Sequence, residues 1–405
     1  ARGRDVVIVE VGGTVGDIES QPFLEAIRQI RLDRGRENVL YVHVTLIPYM
    51  KVSEELKTKP TQHSVGKLRE IGIDPDIIVC RTEKPLEESV KEKIGLFCSV
   101  PRDAVIEARD ASTIYEVPLM LEEQGVDRLI LWRFGWTARK KFMADWNSMV
   151  QRMQNATQAV TIAIAGKYVG LKDAYKSIGE SLVHGGLAHR TKVIIRYVDV
   201  ENEDLDKVLS GVDGILVPGG FGDRGVEGKV AATRFAREKK IPFFGICLGM
   251  QCAVIDVARH VAHLKDAHST EFSPRTRHPV IHLMTTQKKL TGKGGNMRLG
   301  VYPCHVRKGS WAHRSYGRDT ILERHRHRYE LNNQYRKKLE RAGLRVTGFY
   351  PKENLGEIVE FQPHPWFVAV QFHPEFGSRP LRPHPLFKDF IGAALQHRKT
   401  GGVSA

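Results

Sequence analysis

The 405-residue chain has no uninterrupted apolar run approaching the roughly 18 residues that a membrane-spanning helix needs, so no membrane partner is expected. Behind the basic start Arg2-Gly3-Arg4 the apolar stretch is short and soon meets Glu10, Gly12 and Gly13, too little for a secretory h-region. Cysteines are few: Cys80, Cys98, Cys247, Cys252 and Cys304 are an odd number, widely spaced, with no C-x-x-C. Neither a disulfide framework nor a zinc knuckle follows, and a soluble protein of the reducing cytoplasm is the expectation. Acidic residues are in deficit, 47 against 62 Lys plus Arg, giving a net charge of +15. Such a surplus attracts anions. Because the bases are spread out, with local clusters only at 324–328 and 336–338, nucleotides rather than nucleic acid are the expected partners. With 41% apolar and 27% charged residues the composition is globular, and the length suggests about two or three domains.

Short apolar runs alternate with helix-length segments, which predicts an α/β fold with parallel sheets. In the first part, strands are expected at Val6 to Val11, Val42 to Leu46, Ile77 to Cys80 and Leu129 to Trp132, and a helix at Pro22 to Ile30. Residues 135–159, with Trp136, Arg139, Lys140 and Lys141, read as a basic, partly helical linker. A second series follows. Strands are expected at Thr161 to Ala165, Val193 to Val198, Gly214 to Val217, Ile241 to Ile246 and Phe367 to Phe372, with helices near Asp173 to His184 and Pro385 to Leu395. The reading is two Rossmann-like, doubly wound α/β domains.

The strongest local signal is Gly245-Ile246-Cys247-Leu248-Gly249, a strand running into a helix with one Cys flanked by glycines at minus two and plus two. This is the thiol form of a nucleophile elbow, whose sharp turn only glycine tolerates on either side. It holds the sulfur at a helix N-terminus, where the dipole favours thiolate. Downstream, Val368 to Phe372 ends in His373-Pro374-Glu375, and residues two apart on an extended segment share a face. A His to take the thiol proton and a Glu to orient it complete a Cys-His-Glu triad. Val217-Pro218-Gly219-Gly220-Phe221-Gly222 is another strand end opening into glycines, whose N–H groups suit an oxyanion hole. Cys252 reads as core packing. In Arg324-His325-Arg326-His327-Arg328 strand alternation puts three arginines on one face and two histidines on the other, open to reading as a solvated basic strand or as a His-x-His metal site lacking an evident third ligand.

These pieces resemble the class I glutamine amidotransferases. The strings at 245–251 (GICLGMQ), 324–332 (RHRHRYELN) and 371–376 (QFHPEF) resemble the CTP synthase family in particular, over nearly the whole chain. The resemblance implies that Cys247 attacks the glutamine carboxamide, that Gly220 supplies an oxyanion N–H, and that Leu248, Gly249, Met250, Gln251, Glu271 and Arg328 hold glutamine. Chemically, an α-amino group suits the Glu271 carboxylate and an α-carboxylate the Arg328 fork. It also implies domains at 1–134 (the C-terminal part of a synthetase domain) and 160–398 (glutamine amidotransferase), with a tail at 399–405.

In the first half, Glu10 stands near the end of the expected strand and before Gly12-Gly13-Thr14-Val15-Gly16-Asp17-Ile18-Glu19, where an acid can meet a magnesium-bound phosphate. Lys57-Thr58-Lys59-Pro60-Thr61-Gln62 offers lysines and hydroxyls to a triphosphate, though a solvated loop looks similar. The resemblance assigns Glu10 to Mg²⁺, Asp17, Ile18 and Glu19 to the pyrimidine nucleotide, and Lys57, Thr58, Lys59, Pro60, Thr61, Gln62 and Lys93 to UTP or CTP. ATP, UTP and glutamine are the implied substrates, GTP an allosteric activator acting through Gly222 to Glu227, and a homotetramer, with possible filaments, the implied assembly. One departure stands out. No G-x-x-x-x-G-K-[ST] occurs, Gly292-Lys293-Gly294-Gly295 lacks the preceding glycine, and the chain starts at Ala1. The expectation is therefore a fragment without its P-loop, crippled toward ATP, with an exposed sheet edge and an intact glutaminase. Two other functions remain open: a stand-alone glutaminase or γ-glutamyl hydrolase with a relic N-terminal domain, and a non-catalytic nucleotide-sensing or filament-forming subunit.

Overall fold

In the computed structural model the described residues are 3–137, 143–167, 172–283 and 297–401, and the chain divides into two units, 1–150 and 151–405. The first unit is built on three parallel strands, β1 (Val42–Ile47), β2 (Ile77–Thr82) and β3 (Val105–Arg109), in that spatial order. Helices α1 (Gln21–Arg34), α2 (Lys59–Glu70) and α3 (Glu88–Cys98) accompany them. Proline near the start of α1 and of α2 fits a position where the backbone N–H has no intrahelical partner. Ile47, Val65, Ile78, Cys80 and Ile94 close one core cluster.

Two expected strands are corrected. Residues 6–11 form no strand, and Val6, Val7, Ile8 and Val9 are exposed, Ile8 at 90%. A parallel strand needs a neighbour for its N–H and C=O groups, and among the described residues β1, whose Val42, Val44 and Leu46 are also exposed, pairs only with β2. Leu129 to Trp132 lies instead in a helix, α4 (Val126–Arg133). Its Val126, Leu129 and Ile130, at helical spacing, pack on Ile77 and Ile106. Four apolar residues in a row do not distinguish the two periods. The linker stretch holds α5 (Met143–Gln154), while Arg139, Lys140 and Lys141 fall outside the described residues.

The second unit carries a nine-stranded mixed sheet. Its elements are β4 (Gln158–Gly166), α6 (Lys176–Ala188), β5 (Thr191–Asp199), β6 (Gly214–Val217), α7 (Val226–Glu238), β7 (Phe243–Ile246) and α8 (Leu248–His260). They continue with β8 (Arg298–Val306), β9 (Thr320–His327), β10 (Leu344–Tyr350), β11 (Leu355–Phe361), β12 (Phe367–Val370) and α9 (Pro385–Lys399). The order is β9-β8-β10-β11-β12-β7-β6-β4-β5; β12 through β5 run parallel, and the other half is an antiparallel extension. Alternation in β4 sends Ala163 and Ala165 to the core under α7 and α8, and Ile162 and Ile164 to the core under α6 and α9. Both faces are covered, so the central strands read as continuous apolar runs. Phe243 and Phe367, on adjacent strands, stack at 4.3 Å, and burying one such side chain contributes about 1.5–3 kcal/mol. The expected decoy at Gly292 to Gly295 lies outside the described residues.

Candidate active site

Three neighbouring parallel strands, β12, β7 and β6, deliver the candidate residues from their carboxyl ends. Val370 stands opposite Ile246, and Gly245 opposite Val217, so the segments that follow emerge side by side, where open α/β sheets bind ligands. Cys247 is the hinge between β7 and α8, with φ 52° and ψ −104°. For a residue with a Cβ that conformation costs on the order of 1–3 kcal/mol and needs a surrounding clamp. Its N–H donates to the Val370 carbonyl at 2.7 Å, and its carbonyl accepts from the Met250 and Gln251 amides. The flanking glycines are steric necessities: a Cβ on Gly249 would sit 2.1 Å from the Val217 oxygen, and one on Gly245 2.8 Å from the Gly249 oxygen.

His373 Nδ1 and Glu375 Oε1 are 2.7 Å apart. They meet through a different geometry from the one alternation suggested. The strand ends at Val370, and 374–376 form a 3-10 turn that folds Glu375 back under the ring. The His373 amide donates to the Arg324 carbonyl at 2.8 Å, and the Ser181 hydroxyl holds the Glu375 carbonyl. Burial works against the imidazolium, but interactions with Cys247 and Glu375 outweigh it and raise the His373 pKa to about 10. His373 Nε2 makes no hydrogen bond of its own among the described residues. The Gly219-Gly220 loop closes the third side: a Cβ on Gly219 would come within 3.2 Å of His373 Cε1 and 3.4 Å of Cys247 Cβ. Only a bare backbone passes that close to the thiol.

Leu248, Gly249, Met250 and Gln251 are all buried in the first turn of α8. The Gln251 side chain is already engaged, with Nε2 donating to the Tyr329 carbonyl (3.3 Å) and to Gln371 Oε1 (3.4 Å). Gln371 in turn donates to Cys247 Sγ at 3.7 Å, a contact the sequence reading missed. Burial raises the Glu271 pKa while Arg328 and Lys167 oppose the rise, so one carboxylate and two cations share one environment. The outer loop and the start of α7 are tied down by polar pairs: Arg224 pairs with Glu201 at 2.8 Å, and hydrogen bonds from His268 and Arg259 hold the Glu227 carboxyl at about 2.

The alternation expected at 324–327 holds in β9, with His325 and His327 buried and Arg324 and Arg326 exposed. A third donor does exist: Glu357 of β11 joins both histidines. The Arg298 guanidinium occupies the same cluster, however, paired with Glu357 and with Glu330. A fixed cation already neutralises the carboxylate a metal would need, which disfavours a metal there. Cys252 is core, as expected, fully buried with its thiol pushed up to about 12 by burial; all five cysteines are buried and free.

In the first unit, Lys59, Pro60, Thr61 and Gln62 open α2, with Thr58 at its N-cap and Lys57 just before it, paired with Glu55. The stretch is a helix N-terminus rather than a loop, the geometry that presents N–H groups to phosphate. Thr61 is buried on Thr45, Gln62 bonds Thr58, and Lys93 of α3 acts electrostatically on Glu55, which brings three lysines toward one end of α2. Asp17 caps its own turn through the Thr14 amide at 2.7 Å; Ile18 and Glu19 are exposed, and Gly16 lies against the Lys67 stem of α2. Glu10 is exposed outside any strand. Among the described residues Glu10 belongs to no group of three or more acids, histidines or cysteines placed to hold an ion.

A cysteine at a strand–helix elbow, a hydrogen-bonded His-Glu pair and a closely approaching glycine loop on adjacent strands of a doubly wound sheet match the pattern of a class I glutamine amidotransferase. Residues 170–393 match the family described as glutamine amidotransferase class-I, and residues 1–136 match the CTP synthase N-terminus. Among curated relatives, the CTP synthase of Carboxydothermus hydrogenoformans is 58% identical over 398 residues, 98% of this chain and 74% of its own length. That of Moorella thermoacetica is 58% identical over 401 residues, with the same coverage. Among solved structures, the glutaminase domain of Trypanosoma brucei CTPS with bound acivicin is 40% identical, covers 58% of this chain and 94% of its own, and superposes with a TM-score of 0.56. The chain belongs to the CTP synthase family, ligases that hydrolyse glutamine and use ATP to aminate UTP to CTP. No helix among the described residues is long and apolar enough to cross a membrane.

Proposed function

We propose that Cys247, His373 and Glu375 carry the glutamine-hydrolysing half of the CTP synthase reaction, a reading supported above all by the 2.7 Å His373–Glu375 bond beside a positive-φ Cys247. The α-amino group of glutamine pairs with Glu271 and its α-carboxylate with Arg328. The Cys247 thiolate attacks the carboxamide carbon, and the oxygen takes up the negative charge facing the amides of Gly220 and Leu248. Protonated His373 gives its proton to the leaving nitrogen; the C–N bond breaks, ammonia departs and a glutamyl thioester remains. Neutral His373 then takes a proton from water, which attacks the thioester and releases glutamate and Cys247. Glu375 keeps the ring oriented and stabilises its charged form. Leu248 to Gln251 wall the pocket.

In the first unit, Lys57 to Gln62 with Lys93 bind the UTP or CTP phosphates at the start of α2, and Asp17 to Glu19 contact the pyrimidine nucleotide. ATP phosphorylates O4 of UTP, and ammonia displaces that phosphate at C4. Glu10 would offer a carboxylate to a Mg²⁺ carried on the nucleotide phosphates, where the ion would supply charge neutralisation; magnesium often needs only one or two protein carboxylates when phosphates fill its other positions. The loop Gly222 to Glu227 answers GTP, the enzyme acts in the cytoplasm as a homotetramer capable of filaments, and the domains run 1–134 and 160–398.

The test is glutamine hydrolysis, assayed beside ammonia-dependent CTP formation from UTP and ATP. Cys247→Ala should abolish the first; glutaminase turnover that survives in purified Cys247→Ala protein overturns the nucleophile assignment. A UTP-induced rise in melting temperature separates a synthetase unit from a relic beside a free-standing glutaminase.

A further inference from the structure

Lys229, on α7, is completely buried. Taking an ammonium out of water costs several kcal/mol, so its position calls for a reason. Nζ donates to the carbonyl of Pro218 at 2.9 Å and to that of Gly219 at 3.3 Å. Both belong to the glycine loop that follows β6. In a trans peptide the C=O and the following N–H point in opposite directions. Tying the Pro218 and Gly219 carbonyls down on the α7 side therefore fixes the Gly219 and Gly220 amides on the other side. At Gly219 that loop runs against His373 Cε1 and Cys247 Cβ, while a Cβ on Gly220 would press on Lys229 Nζ at 3.3 Å. The loop is thus held between the reacting pair and a buried cation. Burial lowers the Lys229 pKa to about 8, and the neighbouring Lys167 adds to this while Cys252 and Cys247 counter it. Deprotonated, the amine would still donate, but without the charge that tightens both bonds.

We propose that Lys229 is a positioning residue for glutamine hydrolysis: its ammonium locks the Pro218 and Gly219 carbonyls, and with them the glycine loop, so that the Gly220 amide faces the oxyanion formed at Cys247. The proposal rests on the assignment of Cys247 as nucleophile. Lys229 touches no substrate.

The experiment compares the full chain with Lys229→Met in glutamine hydrolysis, and measures alkylation of Cys247 by iodoacetamide, a displacement that forms no oxyanion. Removing one oxyanion donor typically costs about 10²–10³ in kcat, and a fall of that order is expected, with glutamine KM and the alkylation rate each within about threefold of the parent. Wild-type protein without glutaminase turnover would mean that the Cys247 reading itself has failed. An active parent with an unchanged kcat in Lys229→Met overturns only the Lys229 proposal. So does a parallel collapse of alkylation, which would mean that the elbow had come apart. Should Lys229→Met not fold, Lys229→Gln, which keeps a donor for one carbonyl, is judged by the same comparison, with a kcat between those of the parent and a donor-less loop expected and full activity refuting.

Discussion

Replacing Arg298 by methionine removes a cation from a buried cluster and leaves its acids behind. The guanidinium sits between Glu357 and Glu330, both fully buried, and lies 4.5 Å from the centroids of Tyr302 and Tyr350. Neither neighbouring histidine can substitute: burial, with Arg298 itself adding, holds His327 near 3 and His325 lower still, so both are neutral at pH 7. Breaking a buried ion pair from one side typically costs about 3–5 kcal/mol. At roughly 2–4 °C per kcal/mol for a unit of this size, the melting midpoint should fall by about 6–20 °C at pH 8. The pH dependence carries a definite sign. Burial raises Glu357 from the ordinary 4.5 to about 7, against the pull of Arg298, and raises Glu330 well above its ordinary value. A carboxyl whose folded pKa exceeds its unfolded one stabilises below about 4.5 and loses that contribution as pH climbs through about 7. Without the guanidinium both acids prefer their protons more strongly, so Arg298→Met should lose less against wild type at pH 6 than at pH 8. Circular-dichroism melts at the two pH values decide the matter. A midpoint drop below about 2 °C at pH 8, or equal drops at both, refutes the reasoning.

Glu375→Gln should cut glutaminase kcat by at least about 10²-fold; losing the carboxylate also lowers the His373 pKa, so the alkaline limb of the rate profile should move to lower pH in a kcat titration. Gly249→Ala places a methyl 2.1 Å from the Val217 oxygen and should abolish glutamine hydrolysis by displacing the elbow, read as loss of the acyl-enzyme burst. Because Arg298 already neutralises the His325, His327 and Glu357 cluster, EDTA should leave the melting midpoint within about 1 °C; a large drop would mean that a metal sits there. Lys59→Ala at the start of α2 should weaken UTP binding several-fold in a calorimetric titration while leaving glutaminase kcat intact.

The candidate site's geometry was legible where chemistry demands particular residues at fixed spacing. Gly245, Cys247 and Gly249 announce a turn that nothing but glycine permits, and the contacts of the two glycines explain why. His373 and Glu375 were also found, although a 3-10 turn rather than strand alternation brings them together. What stayed hidden depends on chain segments far apart in sequence. Lys229 falls in an apolar stripe with Val226, Val230 and Thr233; a lysine at that spacing is a signal, but only the fold shows which carbonyls it serves. Gln371 was visible as part of a motif, whereas its reach to Cys247 depends on β12 lying beside β7. Glu357, the third donor beside the histidines, lies 30 residues from His327 and approaches through β11. The strand expected at residues 6–11 failed for a related reason. Pattern reads side chains, but a strand is completed by a neighbour's backbone.

The burial of the five cysteines has a practical consequence for chemistry in solution. Cys80 and Cys252 are held near 12 by burial, and Cys98 and Cys304 are also raised. Thiolate is the reacting form, so at neutral pH these four are silent toward alkylators and peroxides while the fold is intact. Cys247 stands apart at a helix start beside a charged imidazole. A thiol reagent applied to the native chain is therefore expected to label Cys247 alone, and any label beyond one per chain counts unfolded molecules.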